Sequence, residues 1–172
     1  MTTEYLMERE MEHVFAALMP ENRLVCRVCV ATGLRVSDVL SLRTEQLSRQ
    51  FWITESKTGK RRRVNLKQEL LEDLKAQAGA EWVFPNKWNP QKHRTRQTIW
   101  TDVKRAAKAF RLPQNVAPHS LRKVYAHEML VNSKGDLSKV QRALNHSDAS
   151  TTLIYVMAYQ LYQAKYGQKT RN

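Results

Sequence analysis

The stretch FWITESKTGKRRRVNL, residues 51–66, breaks the helical texture of the chain around it. FWIT is a short β-branched and aromatic run, and SKTGK supplies the polar residues and glycine of a tight turn. In RRRVNL the apolar Val64 and Leu66 alternate with polar neighbours, the period of a half-buried strand. The stretch therefore predicts an antiparallel hairpin with Lys57 at its turn.

On both sides of the hairpin the periodicity is helical. Upstream, EYLMEREMEHVFAALM places Leu6, Met11, Val14, Phe15 and Leu18 on one face, and Pro20 and Asn22 interrupt it. A second helix is expected from Arg23 to Ala31, with Gly33 as its left-handed cap. Ser37 is the expected cap of a short helix through SDVLSL. Downstream, KQELLEDLKAQA returns to helix, WVF before Pro85 is a strand candidate, and PNKWNPQKHRTR is a basic loop. Thr95 should cap a helix running to about Phe110, and Pro113 and Pro118 bracket a linker. Ser120 should cap a helix through LRKVYAHEML, followed by a KGD turn, the helix LSKVQRAL and the stretch LNHSDASTTLIY. The predicted class is mainly α with a small antiparallel β-sheet (α+β), and no internal repeat is present.

Length and composition suit one folded domain of 172 residues with 42% apolar side chains. Charge is the less ordinary feature: 29 Lys and Arg against 16 Asp and Glu leave a net charge of +13. Such a field favours a polyanion, because protein cations release counterions from phosphates. The chain has no apolar run of the length that crosses a membrane and no signal-peptide pattern, so no membrane association and a cytoplasmic location are expected. Cys26 and Cys29 form a C-x-x-C, but no further cysteine or nearby histidine completes a zinc site. They read as two small apolar residues on one helical face.

Several residues with chemical potential fall at element ends or in loops, where side chains are displayed. Arg35 follows Gly33 in ATGLRVSDVLSL, Lys57 lies in the hairpin turn, and His119 and Arg122 form an H-x-x-R at a helix start. His146 and Tyr155 stand nine residues apart across the Ser/Thr-rich turn of LNHSDASTTLIY. Singly, each fits an ordinary surface or packing residue. In order, Arg35, Lys57, His119, Arg122, His146 and Tyr155 resemble the catalytic domain of the tyrosine recombinases, the phage-integrase family of DNA strand-exchange enzymes. ATGLRVSDVLSL, SKTGK, PHSLRK and LNHSDASTTLIY carry the likeness, which runs over nearly the whole chain.

What the resemblance implies is specific. Tyr155 is the nucleophile and Lys57 the general acid for the 5′ oxygen; His119 assists proton transfer, and His146 binds a phosphate oxygen. Arg35 and Arg122 hold the phosphate, a role for which planar, permanently charged guanidinium groups are suited. Asp38, one helical turn beyond Arg35, reads either as a support for that arginine or as an acid favoured at a helix start. The implied activity is site-specific recombination through a 3′-phosphotyrosine, with no metal, no cofactor and no ATP. Double-stranded DNA is the implied partner, with a monomer in solution and higher-order assembly on DNA. Lys60, Arg61, Arg62, Arg63, Lys92, Arg94 and Arg96 are expected to contact its backbone. Residues 1–172 are expected to form a single catalytic domain, without the separate DNA-clamping domain that family members carry ahead of it. One departure from the family pattern is Asn145, where a glycine commonly precedes the late histidine.

Two other readings compete. A catalytically silent DNA-binding regulator would have no chemical reason to keep all six residues. A metal-dependent nuclease using His119, His127 and His146 lacks the ligand spacing of a metal site. Tyr159, Tyr162 and Tyr166 share the helical spacing of Tyr155, and packing is their expected role.

Overall fold

The structure, a computed structural model, describes residues 3–167. In chain order it comprises α1 (Glu8–Ala17), α2 (Pro20–Thr32), α3 (Val36–Leu40), a single 3-10 turn (Thr44–Gln46), β1 (Gln50–Thr54) and β2 (Arg61–Asn65). There follow α4 (Gln68–Gln77), α5 (Arg96–Ala109), α6 (Pro118–Asn132), α7 (Leu137–Leu144) and α8 (Ala149–Tyr166). The mainly α class with one small antiparallel sheet is the observed architecture.

β1 and β2 pair in the register Phe51↔Val64 and Ile53↔Arg62. Phe51, Ile53, Val64 and Leu66 are buried, whereas Trp52, Thr54, Arg61 and Arg63 face out, so the two-residue alternation sets the hairpin's inner face. The loop between the strands spans residues 55–60 and is closed by backbone bonds from Glu55 N–H to Lys60 O (3.0 Å) and from Gly59 N–H to Glu55 O (2.9 Å).

α2 is the central helix. Its face of Leu24, Val25, Cys26, Val28 and Cys29 is buried, and it packs chiefly against α6, which in turn meets α7 and α8. Each fully buried leucine- or valine-sized side chain contributes about 2 kcal/mol. Cys26 and Cys29 are free thiols within this core, and burial pushes the Cys29 thiol up to about 12. A smaller cluster of Ala126, Val140, Leu144, Tyr155 and Val156 joins α6, α7 and α8.

Several local expectations hold and others shift. Gly33 ends α2 with φ +66, and its N–H reaches Cys29 O at 2.8 Å. A Cβ at this position would lie 2.3 Å from Tyr125 Cδ1, so the close ring also requires glycine. Thr95 caps α5, its hydroxyl accepting from Thr98 N–H at 3.2 Å. Pro20 starts α2 rather than only ending α1, because a first helical position needs no N–H. Ser37 and Ser120 are not caps. Arg35 and Ala117 hold those positions, and Ser120 instead accepts from Ala117 N–H through its side chain at 3.3 Å. WVF forms no strand; Trp82 makes one isolated bridge to Arg43 and Val83 N–H reaches Leu42 O at 3.0 Å, a pairing too short for a ladder. No helix among the described residues is long and apolar enough to cross a membrane.

Candidate active site

Arg35 leaves the chain at the start of α3, directly after the α2 cap. Its guanidinium is largely enclosed and pairs with Glu55, and its Nη1 lies 4.0 Å from Asp38 Oδ2. Asp38 is fully buried and does more than accompany Arg35. Its Oδ1 accepts from Ser56 N–H at 2.9 Å and from Ser56 Oγ–H at 2.7 Å, tying α3 to the hairpin loop beside Lys57. Of the two readings of Asp38, support therefore extends to the loop as well as the arginine.

Arg122 is 1% exposed. One guanidinium nitrogen donates to Gly33 O at the end of α2, and Nη2 donates to Leu144 O at the end of α7, the latter at 2.5 Å. Two helix C-termini, each carrying partial negative charge, thus converge on one cation. Burial and then the neighbouring Arg35 push the Arg122 guanidinium down to about 10, which leaves it charged at neutral pH.

His119 lies in the first turn of α6, one turn ahead of Arg122 on the same face. Tyr155, on the second turn of α8, shares a hydrogen bond between its hydroxyl and His119 Nε2. For the phenol to donate in that bond, the ring must be neutral with its proton on Nδ1. His119 is an exposed residue, yet its ring lies close to several cations. Burial, then Arg122, Lys123, Arg35 and Lys57, push it down to about 4, and the four cations alone dictate that direction.

His146 stands in the turn between α7 and α8, where Asn145 adopts a left-handed conformation at φ 55 and ψ 33. Asparagine tolerates this region better than other residues with a Cβ, so it can replace glycine here at small cost. His146 Nδ1 lies 3.1 Å from Thr152 Oγ1, which orients the ring from the first turn of α8. Burial, then Arg122, Arg35 and His119, push His146 down to about 4. The Tyr155 ring meets both imidazoles edge-on, with centroids 5.3 Å from His119 and 5.0 Å from His146. Burial raises the pKa of the Tyr155 phenol, while Arg122 and Arg35 pull it back down. A buried phenol beside two arginines and a neutral imidazole can lose its proton as it attacks an anionic ester.

Lys57 is exposed on the hairpin loop and lines a cavity of about 490 Å³ together with Arg35, Arg96, Trp100, His119 and Arg122. The structure thus brings Arg35, Lys57, His119, Arg122, His146 and Tyr155 to one cationic region. Among the described residues no three His, Cys, Asp or Glu side chains come together as a metal ion would need. His127 lies apart, stacked on Tyr159 at 4.1 Å.

The remaining tyrosines are occupied elsewhere. Tyr162 donates to Glu10 Oε1 at 2.7 Å, and Tyr166 donates to Glu4 Oε1 at 3.2 Å. Of the basic residues assigned to a DNA backbone, Lys60, Arg61, Arg63, Lys92 and Arg96 are exposed. Two are turned inward. Arg62 donates to Thr32 O and lies 3.4 Å from Glu55 Oε1, and Arg94 donates to Asn22 Oδ1 at 2.8 Å. Their charges serve the protein's own carboxylate and amide groups because those partners are buried and would otherwise be unpaired. Glu55 is the site residue that sequence reasoning missed. Its signal was slight: it is the only acid between Glu45 and Glu69, in a run rich in lysine and arginine.

Comparison with known proteins agrees with this geometry. The Phage integrase family pattern matches residues 4–161. The tyrosine recombinase XerD of Pseudomonas aeruginosa is 32% identical over 169 residues, covering 87% of this chain and 56% of the relative. The integrase of Escherichia phage P2 is 28% identical over 154 residues, covering 89% of this chain and 42% of the relative. The chain thus spans about half the length of the curated relatives it matches. A crystal structure of the XerH site-specific recombinase, in a post-cleavage complex with palindromic difH substrate, superposes with a TM-score of 0.75. That match has 21% identity and covers 96% of this chain and 53% of the other. With the family pattern spanning nearly all of its length, the chain belongs to the phage integrase family of tyrosine recombinases.

Proposed function

We propose that this chain cleaves and rejoins duplex DNA through a covalent phosphotyrosine, in the service of site-specific recombination. The observation that carries the reading is the Tyr155 phenol held on His119 beside the buried guanidinium of Arg122. In the proposed step, the Tyr155 oxygen attacks the scissile phosphorus and its proton passes to His119. Arg35, Arg122 and His146 hold the non-bridging oxygens, where negative charge grows. The bond from phosphorus to the 5′ oxygen breaks, and Lys57 protonates the departing oxygen. A 3′-phosphotyrosyl ester remains, and a 5′ hydroxyl from a second strand reverses the step without ATP. Lys60, Arg61, Arg63, Lys92 and Arg96 are the proposed backbone contacts, supported by their exposure and by the net charge of +13.

The test is to trap the protein on a nicked suicide duplex in EDTA and map the adduct. A tyrosine-linked adduct supports the reading. Duplex binding without an adduct would favour the silent DNA-binding regulator, and adduct-free cutting that EDTA abolishes would favour the metal nuclease. Free protein is expected to be monomeric and to assemble only with duplex present; light scattering that found a stable tetramer without DNA would contradict this.

A pH expectation follows from the two imidazoles. Their depressed values keep both rings neutral at pH 7, so a base at His119 is available well into the acid range. Single-turnover cleavage with enzyme in excess over duplex should be insensitive to histidine protonation between about pH 6 and 8. It should fall as pH drops through about 4, where His119 gains its proton. A rate profile with its acid limb near the ordinary imidazole value of about 6.5 would contradict the role given to this ring.

A further inference from the structure

We propose that Glu55 is the positioning residue of the Arg35 guanidinium, coupling the phosphate-holding group to the loop that carries Lys57. The inference rests on the function proposed above. Glu55 is a fully buried acid in a cationic region, a placement that costs free energy unless every oxygen is partnered. Both oxygens are. Oε2 accepts from Arg35 Nη1 and lies 3.5 Å from Thr58 Oγ1, while Oε1 faces Arg62 Nη1 at 3.4 Å. Arg62 in turn donates to Thr32 O at the last turn of α2, immediately before Gly33, whose carbonyl accepts from Arg122. One carboxylate therefore stands between the two arginines that precede and follow it in the chain, and its anchor lies beside the carbonyl that holds Arg122.

The backbone of the same residue closes the hairpin loop, through Glu55 N–H to Lys60 O and Gly59 N–H to Glu55 O. The loop is tied to α3 a second time by Asp38 on Ser56. These loop bonds belong to the main chain and to Asp38, so replacing the Glu55 side chain leaves them in place. What the side chain adds is its hold on Arg35, with weaker contacts to Arg62 and Thr58. Arg35 has two carboxylates within 4.0 Å, Glu55 and Asp38, and only Glu55 makes a hydrogen bond to it. Without Glu55 the guanidinium would turn toward Asp38, the nearest remaining anion, and away from a bound phosphate. An error of about 1 Å in a group that holds the reacting phosphate costs on the order of 100-fold in rate.

The test is a double-mutant cycle on the covalent adduct, using single-turnover cleavage of the nicked duplex by the full chain. Glu55→Gln should slow adduct formation about 10- to 100-fold with duplex affinity changed less than about threefold. In an Arg35→Ala background the same substitution should cost less than about threefold, because the group it positions is gone. Glu55→Asp, which keeps the charge but shortens its reach, should fall between wild type and Glu55→Gln. It also serves as the partner in the cycle if Glu55→Gln melts below the assay temperature. Equal losses in both backgrounds would overturn the inference, since a purely structural role would act with or without Arg35. An unchanged rate in Glu55→Gln would overturn it as well. Failure of the wild-type chain to form any adduct would instead sink the proposed function, so the two failures are distinguishable.

Discussion

Tyr155→Phe should abolish the covalent adduct, with no product above background in a suicide-substrate assay, while duplex binding and folding survive. The substitution removes one oxygen from a ring that is 8% exposed and leaves its packing against the α6–α7 cluster intact. The lost hydrogen bond to His119 is worth about 1 kcal/mol, too little to unfold a domain of this size. The chemistry, by contrast, depends on that oxygen, because the other tyrosines of α8 are engaged elsewhere. Tyr159 is stacked on His127, and the hydroxyls of Tyr162 and Tyr166 are committed to Glu10 and Glu4. Tyr159→Phe should therefore form the adduct at close to the wild-type rate. Adduct formation by Tyr155→Phe at the normal rate would show that another residue attacks.

Arg122→Ala should combine two losses that the other site substitutions separate. Adduct formation should fall at least about 1000-fold, the scale seen when a preorganised group at the developing charge is removed. Stability should fall too, because Arg122 is a structural tie as well as the proposed phosphate ligand. Its removal orphans the carbonyls of Gly33 and Leu144, each costing on the order of 1–3 kcal/mol when left buried and unpaired. A total of about 3 kcal/mol would lower Tm by roughly 6–12 °C in a domain of this length. Arg122→Lys keeps the charge, but its single ammonium cannot reproduce the fork that spans both carbonyls, so it should recover little of either. A calorimetric Tm for Arg122→Ala within 1–2 °C of wild type would refute the structural half of this account.

Much of the fold was legible because its signals are local. The hairpin followed from alternation around Val64 and Leu66, the end of α2 from Gly33, and the start of α5 from Thr95. The errors were local as well. Serine is a common cap, yet Ser37 and Ser120 sit inside their helices, because the turns after Gly33 and Val116 place Arg35 and Ala117 at those ends. WVF had strand composition, but its pairing stops at one bridge to Arg43 and one bond to Leu42, a long-range match that no window of sequence can reveal.

The six proposed site residues were picked out by their order, through the resemblance to the tyrosine recombinases, and their types suit what a phosphodiester demands. Their partners were not. That Arg62 and Arg94 turn inward while Arg61 and Arg63 stay exposed depends on Glu55, Thr32 and Asn22, which lie 7, 30 and 72 residues away from the arginines they bind. The sequence by itself determined which elements form, where they end and which side chains could carry the chemistry, because propensity, periodicity and capping act within a few residues. Only the tertiary structure decided that Arg122 joins the ends of α2 and α7, that Glu55 sits beneath Arg35 and that Tyr155 meets His119. Those contacts form when distant segments pack, and burial then sets which charges remain free and which must pair.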